Sequence, residues 1–323
     1  VAISLKKEFG FWQLVTVLAM IAMLGLMIVY GFQPQTFDAR LRKAEKLWKA
    51  KRYDEAISVY LSALEKDPRN IKVPEILLQV GDIYNLSLNQ IDKAAQTYDL
   101  VTVRYPATGY SLRALIKKGE IYFGSDQFDK ALKEYQSILE NFPNIPERDT
   151  YRLRMGISHL KLKQYEAARR EFKKVLDSNL KTPLADQILF HTANSYFLEG
   201  KPMQAIPIYQ SLVEHYPRSA LLNEAKFNMA DCFESMGEYD KALVIYQEIK
   251  ESYPNPKVIE WQIEKNKERK IESEKRKAKL LGEQKKILES RKSMGGMNPK
   301  PAPKGISEKI KKDIIRDIYE NYR

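Results

Sequence analysis

This chain of 323 residues is short of the residue types that chemistry at a site demands. Its one cysteine, Cys232, excludes an intrachain disulfide and reads as a packed thiol rather than a reactive one. The three histidines, His159, His191 and His215, stand 32 and 24 residues apart, so no pair has metal-ligand spacing. No phosphate-cradling loop, GxSxG elbow, HExxH pair or CxxC pair occurs. The expectation is a protein without an enzyme active site, cofactor or metal, whose work is binding. Charge of one sign is also scarce over most of the length. The formal charge is +12, but residues 264–292 carry twelve Lys/Arg against six Asp/Glu, and residues 300–323 carry seven against four. The stretch before them is close to neutral and offers no basic surface for nucleic acid, which is not expected as a partner on this count.

Long apolar runs are absent with one exception. Phe9 to Phe32 holds 24 positions without a charge, more than the roughly 20 that cross a bilayer as a helix. Phe9, Phe11 and Trp12 stand at one end and Tyr30 and Phe32 at the other, as an interfacial aromatic belt requires. A cleaved signal peptide would have a shorter core and a small-x-small site after it. Gly31-Phe32-Gln33-Pro34 supplies none, so the run is expected to be an uncleaved anchor behind a short tail, residues 1–8. Counting Lys6 and Lys7 against Arg40, Arg42, Lys43 and Lys46 favours a cytoplasmic domain after the span. A two-lysine tail held inside with a long domain translocated is equally ordinary. The adopted expectation is a single pass of the inner membrane with the following domain extracytoplasmic.

What is abundant is repetition. Ala56, Ala94, Ala131, Ala168, Ala205 and Ala242 are spaced by 38 and then four times by 37. Four residues after each comes an aromatic: Tyr60, Tyr98, Tyr135, Phe172, Tyr209 and Tyr246. Twelve after each comes Pro68, Pro106, Pro143, Leu180, Pro217 and Pro254. Each copy divides into two apolar runs at helical spacing. In the fifth copy, Ile188, Leu189, Ala193, Tyr196 and Phe197 precede Gly200-Lys201-Pro202, and Ala205, Ile208, Tyr209, Leu212 and Val213 follow it. The small residue permits close helix crossing, the aromatic one turn on fills the gap beside it, and proline stops the second helix. One hairpin cannot bury its apolar face alone, so the copies must stack.

A second column reads Ala44, Gly81, Gly119, Gly156, Ala193 and Ala230, each followed three residues on by Leu47, Tyr84, Tyr122, His159, Tyr196 and Phe233. With the alanine, aromatic and proline of the second helix, this pattern resembles the tetratricopeptide repeat over about two thirds of the chain, residues 37–254. The departure is a period of 37 against the family's roughly 34. Arg104-Tyr105-Pro106 and His215-Tyr216-Pro217-Arg218-Ser219 also resemble long-period repeats of bacterial envelope proteins. The resemblance implies an all-α, right-handed solenoid of about six helix-turn-helix repeats. It also implies that the first helix of each repeat lines a concave surface for peptides or partner helices. In that register Trp48, Arg113, Glu120, Phe123, Leu160, Phe190, Asn194, Phe197, Phe227 and Asp231 are expected to face a protein partner, as are Glu45 and Leu153. The Lys and Asn pairing of a carboxylate clamp is not found.

Two irregularities are visible in the array. The second repeat has an extra residue near Leu86–Gln90, and the fourth lacks its proline, which predicts a longer or bent helix there. After Pro254, residues 255–263 are expected to start a helix that caps the array, and 264–292 to continue as a basic, solvated helix. Its charge suits a solubilising role, anionic lipid or another polyanion. Residues 293–305 read as a flexible linker. Residues 306–323 read as an amphipathic helix with a stripe of Ile306, Ile310, Ile314, Ile318 and Tyr322, fit for a partner, for self-docking or for a membrane surface. The expected function is a membrane-anchored scaffold in envelope complex assembly. The alternative is a cytoplasm-facing adaptor whose basic tail binds anionic lipid or nucleic acid. Oligomeric state is left open by the sequence.

Overall fold

The structure, a computed structural model, describes residues 13–23, 36–178 and 182–293, and all regular structure among them is helical. Helix α1 is described over residues 13–23, inside the apolar run. The rest of that run lies outside the described residues, as do the linker from residue 294 and the stripe from Ile306 to Tyr322. Among the described residues, no helix is long and apolar enough to cross a membrane. The chain divides into two compact units, Val1–Leu221 and Leu222–Arg323.

The first unit contains five antiparallel helix pairs. They are α2 (Phe37–Lys49) with α3 (Tyr53–Lys66), α4 (Val73–Asp82) with α5 (Ile91–Arg104), and α6 (Gly109–Gly124) with α7 (Phe128–Asn141). Then come α8 (Arg148–Lys161) with α9 (Tyr165–Ser178), and α10 (Ala185–Leu198) with α11 (Pro202–His215). The turn inside each pair is built the same way. One residue adopts a left-handed backbone at Lys51, Asn89, Asp126, Lys163 and Gly200, with φ between 52° and 77°. The next N–H then returns to a carbonyl of the first helix, as in Gln127 to Tyr122 (2.8 Å), Gln164 to His159 (2.8 Å) and Lys201 to Tyr196 (2.9 Å). This is the glycine-type C-terminal motif, yet only the last of the five uses glycine.

The prolines act one step beyond the second helix. A residue before proline is driven out of the helical region, and the caps Asp67, Tyr105, Phe142 and Tyr216 have φ from −126° to −138° and ψ from 52° to 73°. Each of these helices therefore ends after 14 residues. Helix α9, which lacks the proline, is described over the same 14 residues, and the expected extension falls on 179–181, outside the described residues. The extra residue of the second repeat is absorbed as a π turn at Ile83–Ser87, where Leu88 N–H reaches the Ile83 carbonyl at 3.2 Å. A π turn adds one residue without breaking the helix face, so the register resumes at Ala94.

No hairpin encloses a core of its own. One cluster joins Leu41 and Ala44 of α2 and Ala56 and Tyr60 of α3 to Ile76, Val80 and Ile83 of the next pair. Another joins Leu115, Ala131, Tyr135 and Ile138 to Tyr151 and Met155 of the following pair. Polar bridges reinforce the stacking. Buried Lys118 of α6 lies 2.5 Å from Asp99 of α5 and 2.8 Å from Glu134 of α7. Arg169 of α9 lies 2.7 Å from Glu199, which follows Leu198 at the end of the next first helix, α10.

In the second unit, α12 (Leu222–Ser235) and α13 (Tyr239–Ile249) form the sixth pair, with Gly237 as the left-handed turn residue. The expected cap and the expected basic helix prove to be one element, α14 (Pro256–Ser293). Its Ile259 is fully buried with Ala230, Ala242, Tyr246 and Ile249, in the place a further first helix would take. Ion pairs from Arg269 to Glu234 and from Lys270 to Asp240 (2.5 Å) continue the contact. From Glu274 to Ser290 the helix is exposed on all sides. The charge pattern required that, because no stripe of apolar residues recurs there at a regular interval.

Candidate partner-binding face

The repeat is organised around the ring four residues after each alanine. Tyr60, Tyr98, Tyr135, Phe172, Tyr209 and Tyr246 are all buried, as are Ala56, Ala94, Ala131, Ala168, Ala205 and Ala242. The ring lies over the small residue of the first helix. A Cβ added at Gly119 would stand 2.6 Å from Cε1 of Tyr135, and one at Gly81 or Gly156 would strike the ring of Tyr98 or Phe172. The two signature columns, read separately in the sequence, are thus one contact.

In three repeats the ring also has a polar partner, and two of these partners, Asn194 and Asp231, were expected to face another protein. Tyr98 Oη donates to Asp82 at 2.6 Å, Tyr209 Oη to Asn194, and Tyr246 Oη to Asp231. All three acceptors follow the small residue directly. That column reads Glu45, Asp82, Glu120, Ile157, Asn194 and Asp231. The one isoleucine stands in the repeat whose ring is phenylalanine, where no hydroxyl needs an acceptor. Asp82 also lies 2.8 Å from Lys117 of the next repeat, so the acceptor ties neighbouring hairpins together. Neither Asp82 nor Lys117 was expected as a functional residue, although this covarying column was there to be read.

The ten expected partner-facing residues therefore separate. Trp48, Arg113 and Glu120 are exposed, and Phe123 and Phe197 are half-buried. Phe123 packs edge-on against Phe128 at 5.5 Å, with the Arg154 guanidinium 4.8 Å above its ring. In the second unit Phe227 is half-buried between Tyr246 and Tyr253. Leu160 and Phe190 are a correction. They are 8% and 4% exposed: Leu160 is in one cluster with Phe172 and with Ile188 of the next first helix, and Phe190 packs edge-on against Tyr209 of its own pair. Leu153 is buried in the same way. Asn194 and Asp231 are half-buried, and each gives one oxygen to a tyrosine hydroxyl of its own repeat.

Burial sets the acid–base character of this layer. Asp231 is pushed up to about 6 by burial, with Glu234 adding to the rise and the Tyr246 hydrogen bond opposing it. Tyr246 is pushed above its usual range by burial and then by Asp231. Cys232 is fully buried, and burial pushes its thiol up to about 12. His191 stacks on Phe172 at 6.1 Å and is pushed down to about 4 by burial, then by Lys161. His159 Nδ1 pairs with Gln164 Oε1 at 2.7 Å. Among the described residues, no group of three or more His, Cys, Asp or Glu is placed to hold a metal.

Two tetratricopeptide repeat models match the chain, one over residues 113–144 and 224–256, the other over 29–71 and 153–220. The chain belongs to the tetratricopeptide repeat family. A tetratricopeptide repeat protein from Parabacteroides merdae is 20% identical with a TM-score of 0.53, covering 79% of this chain and 97% of its own. PilF of Pseudomonas aeruginosa is 16% identical with a TM-score of 0.44, covering 71% and 98%. MamA of strain AMB-1 is 18% identical with a TM-score of 0.42, covering 57% and 94%. No curated protein matches. The family fold suggests a protein-interaction scaffold, and nothing in it speaks positively for catalysis.

Proposed function

We propose that this protein is a membrane-anchored scaffold that binds partner proteins along the first helices of its repeats and serves envelope complex assembly. The observation that carries the reading is the division of that face. Its buried members are consumed by packing, while Trp48, Arg113 and Glu120 stay exposed and Phe123 and Phe197 stay half-exposed. Large side chains left partly open on a rigid scaffold are the residues that dominate interface energy. The anchor rests on the uncharged run Phe9–Phe32, of which the described part is helical with exposed Leu14, Leu18 and Ile21. Photo-crosslinking residues placed at Trp48, Phe123 and Phe197 in the full chain in cells should yield discrete adducts with other proteins. Sites on the opposite helix, such as Gln136 of α7, should not. Equal adducts from both faces, or none from the first helices, would refute the assignment.

The second reading, a cytoplasm-facing adaptor, draws on α14. Beyond Lys270 it holds Lys275, Arg276, Lys277, Lys279, Lys285 and Lys286, all exposed. Such a cluster suits anionic lipid or nucleic acid. A reporter fused to the C-terminus, active on one side of the membrane only, separates the two.

A further inference from the structure

Exposed apolar side chains are unevenly spread along the first unit. Trp48, Leu61, Ile71, Leu86, Leu100 and Val103 are exposed in the first two repeats, whereas no large apolar residue is exposed among the described residues from 109 to 178. Scattered exposed apolar residues need no explanation, but Ile71, Leu86 and Val103 are extreme, at 85%, 79% and 78%; Leu86 lies in the turn inside the second pair, apart from Ile71 and Val103. The antiparallel pairs bring these two to one end of the hairpins. There α2 begins, α3 ends, α4 begins and α5 ends, with Lys72 held 2.9 Å from Asp38 and Val73 packed in one cluster with Val101 and Tyr105. Leu100 lies one turn back from Val103 on the outer face of α5.

That same end receives the chain from the apolar run. Thr36 caps α2 through its hydroxyl, which accepts from Ala39 N–H at 3.2 Å. Only Gln33, Pro34 and Gln35 separate this cap from Phe32. Three residues span about 10 Å when fully extended. Ile71 stands between Arg69 and Lys72, and Val103 is followed by Arg104, all exposed. Apolar tips beside long cations match the boundary of headgroups and acyl chains, where the tips enter and the cations reach the phosphates. Glu65 and Glu75 share this end, so the contact rests on the apolar tips and the cations only orient it.

We propose that this end of the first two repeats rests on a phospholipid bilayer, with Ile71 and Val103 inserted at headgroup depth. This inference depends on the anchor proposed above. Its consequence is that the scaffold stands at a fixed attitude to the membrane and presents its first-helix face sideways.

The test uses the full chain in vesicles of phosphatidylethanolamine and phosphatidylglycerol. An environment-sensitive fluorophore is attached at Ile71→Cys, Val103→Cys or, as control, Gln136→Cys, each alone. Native Cys232 is fully buried and does not compete for the label. Lipids with a spin label at the headgroup should remove most of the emission at 71 and 103 and leave 136 unchanged. Quenching no stronger at 71 and 103 than at 136, in protein that resists alkaline extraction, overturns the contact and leaves the anchor standing. Emission lost with rising protein density rather than with spin-labelled lipid also overturns it, in favour of a contact between copies. Protein stripped from vesicles by alkali overturns the anchor and the contact together.

Discussion

Replacing Asp231 by Asn should stabilise the second unit at neutral pH, against the usual expectation that removing a buried hydrogen-bonded charge is harmful. In the folded chain Asp231 accepts from Tyr246 Oη, and the same hydroxyl lies 3.2 Å from Glu234 Oε2. Glu234 is already engaged by Arg269 of α14. Burial, followed by Glu234, lifts Asp231 from 3.8 to about 6. The folded state therefore binds this proton more tightly than the unfolded state. The cost of the charge is absent below pH 4, grows as pH rises towards 6, and is complete above it. At roughly 1.4 kcal/mol per pKa unit, its ceiling is about 3 kcal/mol, before a discount for the solvent that still reaches the half-buried carboxylate. The amide keeps the acceptor and loses the charge. Nature has already made this choice one repeat earlier, where Asn194 accepts from Tyr209. Hydrogen exchange at amides of α13, measured on the full chain between pH 4 and 7.5 and corrected for intrinsic rates, isolates this unit from the rest of the array. The variant's protection should match the parent's near pH 4 and exceed it by up to about a hundredfold above pH 6, the equivalent of that ceiling. Parallel profiles for the two proteins would refute the reasoning, because a charge that costs nothing cannot be relieved.

Four further outcomes follow from the same geometry. His191→Phe should remove an acid-side loss: the imidazole is held near 4 against 6.5 unfolded, so the parent loses stability as pH falls from 6.5 towards 4 and the variant does not, as urea denaturation at each pH would show. Gly156→Ala places a Cβ against the Phe172 ring and should cost about 1–3 kcal/mol in the fourth repeat, whereas Gly124→Ala, with open space around it, should not; thermal melts compare them. Lys163→Gly relieves a left-handed backbone of φ 58° and should stabilise by about half a kcal/mol after the added freedom of the unfolded chain is counted, in the same melts. Cys232 should stay unreactive to thiol reagents at neutral pH until denaturant is added; rapid labelling of the native protein would contradict its burial.

Sequence alone determined the hairpins. The proline acts on the residue beside it, and the small residue and the ring recur at a fixed separation because every hairpin repeats the same contact, so both survive in a linear pattern. Sequence also determined where α3, α5, α7 and α11 stop, since a proline restricts the residue before it whatever surrounds the pair. The tertiary structure decided which of the outward-pointing residues stay open. Helical spacing fixes a side chain's direction about its own axis, but Leu153 and Leu160 are closed over in one cluster with Ile188 of the next first helix, whose position depends on the stacking of whole hairpins. It likewise decided that Asn194 and Asp231 serve the tyrosine hydroxyls of their own repeats, a contact between two helices 15 residues apart in sequence. And it made the cap and the charged helix a single rod, because Ile259 needs a core to enter and the last hairpin leaves one open on that side.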